Sequence, residues 1–382
     1  MIQGSTKGHK NKAACPVCNN AETETVYENM RSYFVHYNKA FELVISKCNS
    51  CGFVFQSSAY AKNYDRIVSQ EYKNYKKSDF FDFPNRGIRN LETLSFLLGH
   101  LPKEKPLHVL EIGSNRGDLL YLLKEKRPSI HALGLDPTAC EHTTVPTMHS
   151  FFKKELFPNK FDVVILQHVL EHVKYPQVMI ADVANILTDD GLVCIEVPNL
   201  EVAFRYAVED FTVDHVNYFN LETLNSLLRG FTISGYSLEP HLRIAAKKSP
   251  IKETPLAFDA LDIKVSFDGF REKKEQIIAQ INTRSQKARK IVFYGVSYYF
   301  QKLFKELVKA ADIDTTKCYY YDDSFKEPFE QQFKLPRLQA FSKDSLVIIC
   351  STDFEVQRNI EKRLSRYKGL TIVSPWSKIS ST

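Results

Sequence analysis

Long apolar runs are missing from this 382-residue chain. No segment approaches the ~20 residues that a membrane-spanning helix requires. The opening MIQGSTKGHKNKAACPVC lacks the apolar core of a signal peptide. The expectation is a cytoplasmic protein with no membrane partner. Charge of one sign is also scarce. Lys and Arg number 51 against 45 Asp and Glu, a formal net charge of +6. The lysine clusters (Lys7, Lys10, Lys12; Lys247, Lys248) are short, which argues against a nucleic-acid surface. The small excess suits an anionic partner such as a nucleotide. The dinucleotide fingerprint G-x-G-x-x-G is absent, which disfavours NAD, and neither low-complexity segments nor short-period repeats are present.

What is present begins with eight cysteines. In a reducing compartment, paired spacing points to metal rather than disulfides. Cys15-Pro-Val-Cys18 and Cys48-Asn-Ser-Cys51 form two such pairs. Two intervening residues let both thiolates reach one ion from a tight turn, and two turns complete a tetrahedral S4 shell. With all four positions filled by cysteine, the expected Zn2+ is structural. Cys194 and Cys350 lie in apolar strands and read as core residues.

The chain divides into a zinc-binding module and linker over 1–75, an α/β domain over 76–250, a linker helix over 251–284 and a second, smaller α/β domain over 285–382. FELVIS and FVFQ are expected strands of the first part. From Leu107, strand, glycine turn and helix alternate: HVLEI, DLLYLLKEK, HALGLD, FDVVIL, VMIADVANIL, GLVCIEVP. Such alternation predicts a parallel sheet covered by helices on both faces. After a charged helix, GFREKKEQIIAQINTRSQKARK, the pattern resumes with KIVFYGV, YFQKLFKELVKAA, KCYYYDD, SLVIICS, EVQRNIEKRLSRY and LTIVSP.

HVLEIGSNRGDLL joins a strand to a helix through E-x-G-x-x-x-G. Gly113 and Gly117 permit a tight turn and a close approach of backbone to ligand. The turn lies at the carboxyl end of the first strand, where open α/β sheets bind ligands. The next strand ends in Asp136, placed to accept hydrogen bonds from ribose hydroxyls. The strand FDVVIL runs into a loop with Gln167, His168, Glu171 and His172, which should flank the reacting centre.

EIGSNRGDLL, LGLDP and HVLEHV followed by IEVPNL resemble class I methyltransferases. More narrowly, they resemble the sugar C-methyltransferases that act on nucleotide-linked 4-keto-deoxysugars. That family places a four-cysteine zinc module before the class I, Rossmann-like domain and a second Rossmann-like domain after it, the order met here. The resemblance implies S-adenosyl-L-methionine as cofactor. It would be lined by Glu111, Gly113, Ser114, Asn115 and Gly117, held at the ribose by Asp136 and Pro137, and walled by Gln167 and His168. DFTVDHVNYFN resembles the family's H-E-H-x-x-Y-F signature, with His215 at the general base and Asp214 at the glutamate. Removing a proton next to a ketone suits an imidazole poised near neutral pH. Tyr72 or Tyr75 resembles the family's substrate tyrosine, and His172 is a further candidate beside the acceptor. Arg116 stands where the family has aspartate, Thr212 and Val213 where it has tyrosine and histidine, and Glu239-Pro240-His241-Leu242-Arg243 where it tends to G-G-S-L-R.

The implied reaction is C-methylation of a nucleotide-linked sugar through an enolate. The implied assembly is a monomer or homodimer. Sugar O- or N-methylation on the same scaffold is the alternative reading, and a zinc-containing nucleic-acid-binding or scaffold protein is a distant one. The acidic residues Glu22, Glu24, Glu28 and Glu42 weigh against the latter.

Overall fold

The computed structural model describes residues 13–33, 40–60, 65, 84–102, 106–137, 143–206, 211, 213–238, 241–249, 262–295, 313–322, 335–351 and 354–374. The expected substrate tyrosines Tyr72 and Tyr75, the helix YFQKLFKELVKAA, Thr212 and Cys140 lie outside them. The chain forms two compact units, residues 1–201 with 211–263, and residues 202–210 with 264–382. Among the described residues no helix is long and apolar enough to cross a membrane.

The first unit is organised by a seven-stranded sheet. Its members are β4 (Leu107–Ile112), β5 (Ile130–Leu135), β6 (Thr147–Met148), β7 (Phe161–Gln167), β8 (Leu187–Pro198), β10 (Phe231–Ser237) and β11 (His241–Lys248), in the order β10-β11-β8-β7-β4-β5-β6. Strands β4 to β8 pair in parallel, while β11 runs antiparallel to both β8 and β10. This is the class I methyltransferase arrangement, and the α/β expectation holds. The parallel strands alternate their apolar side chains between two cores. Leu110, Ile112, Val164, Leu166 and Ile195 face one, and Val109, Val163, Ile165 and Cys194 face the other. Burial on both faces is why these strands read as nearly continuous apolar runs.

Two helices cover the second of these faces. Helix α1 (Pro84–His100) contributes Leu94 and Leu97, and α2 (Asp118–Lys126) contributes Leu119, Leu120 and Leu123. Helix α3 (Pro176–Ile186) covers the first face with Met179, Ile180, Val183 and Ile186, and carries its proline in the first turn, where the missing N–H costs nothing.

The cysteine module adds β1 (Thr23–Tyr33), β2 (Ala40–Cys48) and β3 (Val54–Gln56) as an antiparallel sheet. Its fourth strand comes from far along the chain: β9 (Asn217–Tyr218) pairs with β3. Phe53, fully buried, stacks edge-on against Phe219 with ring centroids 5.5 Å apart. Cys15, Cys48, Phe53 and Phe55 thus belong to the same core as Leu110 and Ile195. The sequence offered no sign of this, because a two-residue strand has no readable period.

The second unit holds a four-stranded parallel sheet of β12 (Lys290–Tyr294), β13 (Cys318–Tyr321), β14 (Ser345–Ile349) and β15 (Thr371–Val373), in the order β13-β12-β14-β15. The charged helix Ile263–Ser285 starts and ends earlier than GFREKKEQIIAQINTRSQKARK suggests. It packs Ile277, Ile278 and Ile281 into this unit's core, beside Ile291, Phe293 and Ile348. Val292, Tyr294, Val347 and Ile349 point to the opposite face, against Ile360 and Leu364.

Replacing Phe53 by alanine should destabilise the first unit by about 3–5 kcal/mol, the usual cost of truncating a buried phenylalanine. Denaturant unfolding followed in that unit checks this; a change below about 1 kcal/mol would mean that the module does not share the core.

Candidate active site

In this sheet β4 lies between β5 and β7, so the chain reverses its winding direction at β4. The crevice beyond the carboxyl ends of β4 and β7 is the topological switch point, where such sheets bind ligands. Two loops meet there.

The first follows β4. Gly113, Asn115 and Gly117 all have positive φ, at 77°, 51° and 83°. The two glycines enter this left-handed region at no steric cost, and asparagine is among the residues that tolerate it best. Both glycines are also required by space. A Cβ on Gly113 would come within 2.6 Å of Val169 Cγ2, and one on Gly117 within 2.5 Å of Val145 Cγ2. The Gly113 N–H donates to the Leu135 carbonyl at 2.7 Å, and the Gly117 N–H closes the turn on Ser114 at 2.8 Å. Asp136, buried at the end of β5, accepts from the Asn115 N–H at 2.8 Å. The expected cofactor residues Glu111, Gly113, Asn115, Gly117, Asp136 and Pro137 therefore meet in one loop pair.

Ser114 packs its hydroxyl over Gly134, where a Cβ would meet it at 2.5 Å. Two buried atoms here, Glu111 Oε2 and Ser114 Oγ, find no protein partner. Burial first, and then the Asp136 charge, push the Glu111 carboxyl well above its ordinary range. A loop with orphaned buried oxygens, an acidic strand end and left-handed glycines fits a ligand with amino, carboxyl and ribose groups.

The second loop follows β7 and begins with His168, itself left-handed at φ 53°. Its Nδ1 lies 2.9 Å from Glu171 Oε1 and its Nε2 3.1 Å from Glu196 Oε1. A ring with a carboxylate on each nitrogen must donate from both, so it is an imidazolium. Burial and then Arg89 oppose that charge, but the two carboxylates outweigh them and hold His168 above its ordinary range. Burial raises the Glu171 carboxyl, yet His168 and then His172 and His215 bring it down to about 2. Glu196 is held below the ordinary carboxylate range, its burial outweighed chiefly by His168. Its other oxygen accepts from Arg243 Nε at 2.6 Å and from Thr93 Oγ1 at 2.5 Å. Gln167 in turn donates to Thr93 Oγ1 at 2.9 Å. His241 stands edge-on to His168 at 4.8 Å, and burial, then the His168 charge, lower it to about 3, so it is neutral.

Gln167 and His168, expected as cofactor walls, are thus engaged in a buried ionic cluster. Thr93, Glu196 and Arg243 were not among the expected site residues. A carboxylate inside the apolar run CIEVP and an arginine inside LRIAA are the signals that could have disclosed them, since a charge in a buried strand needs a partner.

Next to this cluster stand the expected acceptor-side residues. His172 Nδ1 is 2.9 Å from the Asp214 carbonyl oxygen and 3.7 Å from Asp214 Oδ2. A carbonyl only accepts, so Nδ1 carries the proton and Nε2 keeps its lone pair when the ring is neutral. The His215 ring lies 4.9 Å from that of His172. The segment bearing His215 is tied down at several points. The Val216 N–H donates to the Glu171 carbonyl at 2.7 Å, Asn217 Nδ2 donates to the Leu170 and Val173 carbonyls at 2.8 and 2.6 Å, and the Gln56 N–H donates to the Val216 carbonyl at 2.9 Å.

The four module cysteines converge elsewhere in the unit. Cys15 and Cys51 sulfurs are 3.6 Å apart, Cys18 and Cys48 sulfurs 3.5 Å apart, and all four lie within 4.8 Å of one another. A tetrahedral zinc with bonds of about 2.3 Å places its sulfurs about 3.8 Å apart. The two turns are alike: Asn19 and Gly52, each four residues after the first cysteine, are left-handed, and their N–H groups close on Cys15 and Cys48 carbonyls at 2.9 and 3.0 Å. The donor set and its spacing fit one tetrahedral thiophilic ion.

Replacing Arg243 by methionine should cost about 3–5 kcal/mol, because it strips a hydrogen-bonded counter-ion from the buried Glu196 charge. Adding Glu196→Gln should recover part of that loss. Chemical denaturation of the single and double variants measures both.

Residues 85–233 match the family model described as a methyltransferase domain. An uncharacterized methyltransferase of Staphylococcus carnosus is 25% identical over 192 residues, which is 48% of this chain and 83% of that protein. Among solved structures, the 1,6-didemethyltoxoflavin-N1-methyltransferase of Burkholderia thailandensis is 16% identical, with a TM-score of 0.40, over 58% of this chain and all of its own. The N-methyltransferase NodS of Bradyrhizobium japonicum is also 16% identical, with a TM-score of 0.36, over 48% of this chain and 98% of its own. The family match spans β4 to β8 and both loops of the crevice, and what it supports is a methyltransferase domain over residues 85–233.

Proposed function

We propose that the protein is an S-adenosyl-L-methionine-dependent sugar C-methyltransferase, acting on the carbon next to the ketone of a nucleotide-linked 4-keto-deoxysugar. The observations that carry the reading are the Gly113–Gly117 turn, packed against Val169 of the loop after β7, and the His172–His215 ring pair, whose first member lies on that loop. When bound, the cofactor supplies an electrophilic methyl group and takes back the bonding electron pair as a thioether. Glu111 and the turn would hold its amino-acid portion, and Asp136 its ribose.

His215 accepts the proton from the sugar carbon, and the carbon keeps the electron pair with which it bonds the methyl group. His172, whose Nδ1 proton is committed to the Asp214 carbonyl, presents its Nε2 lone pair and steadies the neighbouring ring. Asp214 accepts from His172 Nδ1 through its backbone carbonyl, and its carboxylate lies 3.7 Å from the same nitrogen. Tyr72 or Tyr75 would donate to the ketone oxygen, where negative charge develops. The Cys15, Cys18, Cys48 and Cys51 cluster would hold a structural Zn2+.

Calorimetry should find S-adenosylhomocysteine binding to the wild type, weakened at least about tenfold, or 1.4 kcal/mol, by Asp136→Ala. Proton–deuterium exchange at the sugar carbon, run without cofactor, should proceed in the wild type and vanish in His215→Ala. Absence of exchange in an active wild type turns the reading to O- or N-methylation; absence of S-adenosylhomocysteine binding overturns it altogether.

Stripping the metal with a chelator should lower the melting temperature of the first unit, and Zn2+ should restore it, because a structural zinc contributes directly to folding. A melting curve indifferent to chelation would remove zinc from the cysteine module.

A further inference from the structure

We propose that Glu171, His172 and His215 form a second metal site, one that takes a borderline divalent transition-metal ion such as Zn2+ or Co2+. One ligand atom from each residue lies within 4.8 Å of the others. The set of two imidazoles and one carboxylate on one side of an ion leaves positions open on the other.

Three features separate this cluster from a chance grouping. Glu171 is 1% exposed, and while its Oε1 engages His168, its Oε2 is buried and meets no hydrogen-bond partner in the protein. An ionised carboxylate oxygen left so is costly unless a cation or donor completes it. His172 has its Nδ1–H on a backbone carbonyl, which frees Nε2 and fixes the ring as such partners do in metal sites. The backbone is also braced across the cluster: the Val216 N–H holds the Glu171 carbonyl, and Asn217 clamps the Leu170 and Val173 carbonyls. The third ligand therefore keeps its place beside the other two.

The neighbouring trio of His168, Glu196 and His241 is just as compact and serves as a contrast. There His168 spends both nitrogens on carboxylates, and Glu196 is covered by Arg243, Thr93 and His168. No lone pair of His168 is left for an ion, and the guanidinium already supplies the positive charge. Of the two trios, it is the one with Glu171 that carries an orphaned carboxylate oxygen.

The inference goes beyond the proposed reaction and does not depend on the acceptor's identity. It has a chemical consequence for that site. A nitrogen that holds a metal has no lone pair for a proton, so occupancy by the ion and proton acceptance by His215 exclude each other.

The test is a Co2+ titration of the untagged full chain with one equivalent of Zn2+ already bound. The expected result is one further equivalent of Co2+ with a nitrogen-and-oxygen visible spectrum, free of the thiolate charge-transfer bands a cysteine site gives. Its affinity should fall at least tenfold in His172→Ala and in His215→Ala, and less in Glu171→Gln. Added Zn2+ should displace it and suppress proton–deuterium exchange. No uptake beyond the first equivalent overturns the proposal, as does a second equivalent that survives in the His172→Ala/His215→Ala double variant. S-adenosylhomocysteine binding, measured in parallel on the wild type, keeps the two readings apart. Its loss with Co2+ bound sinks only the donor assignment, and its retention without Co2+ sinks only the metal site.

Discussion

Glu196 sits 2% exposed near the end of a central strand, and a charge in that position must be matched or expelled. The match is made from three directions. Arg243 comes from the antiparallel strand alongside, Thr93 from the helix above, and His168 from the loop after β7. Each partner is thereby fixed in place by a force that apolar packing does not supply, namely direction. The strand β11 is held in register on β8, with Arg243 directly opposite Glu196. The His168 backbone, left-handed and bonded through its N–H to the Glu196 carbonyl at 2.8 Å, sets where the loop turns toward the crevice. Glu171 and His172 follow three and four residues later.

The crevice therefore has a rigid floor on one side and a glycine turn on the other. The two fit closely: Val169, next to His168, occupies the space a side chain on Gly113 would need. A bulkier loop on either side would push the other away from the strand ends. The chemistry gathered there is uneven. His168 and His241 are held in opposite directions: two carboxylates keep His168 charged against its burial, while burial and then the His168 charge keep His241 neutral. His172 and His215 lie one step farther out and are half-buried, which is where groups that exchange protons or bind ions are useful.

The cysteine module reaches this site along the backbone. Its knuckle after Cys48 leads into β3, β3 pairs with β9, and β9 begins two residues after His215. The Gln56 N–H on the Val216 carbonyl is the last link. An ion in the four-cysteine cluster would thus stiffen the ledge from which His215 projects. The four-cysteine cluster and His215 are connected through this sheet.

Much of this was legible from the sequence because it depends on local rules. The strand–turn–helix over 107–126, the Gly113 and Gly117 turn, Asp136 at the next strand end and the two C-x-x-C knuckles each follow from residue type and spacing over short stretches of the chain. The second sheet's strands were legible for the same reason, as apolar runs punctuated by turns. Only the tertiary structure decided that β9 completes the cysteine sheet, that the charged helix belongs to the second unit's core, and that Glu196 and Arg243 compensate each other's charge. It also decided that Gln167 and His168, next to the crevice, are committed to that ionic cluster. These outcomes join residues separated by tens to more than a hundred positions, and they turn on direction and burial. A sequence carries the charges in order along the chain, but which one lies opposite which is set only when the strands take their register.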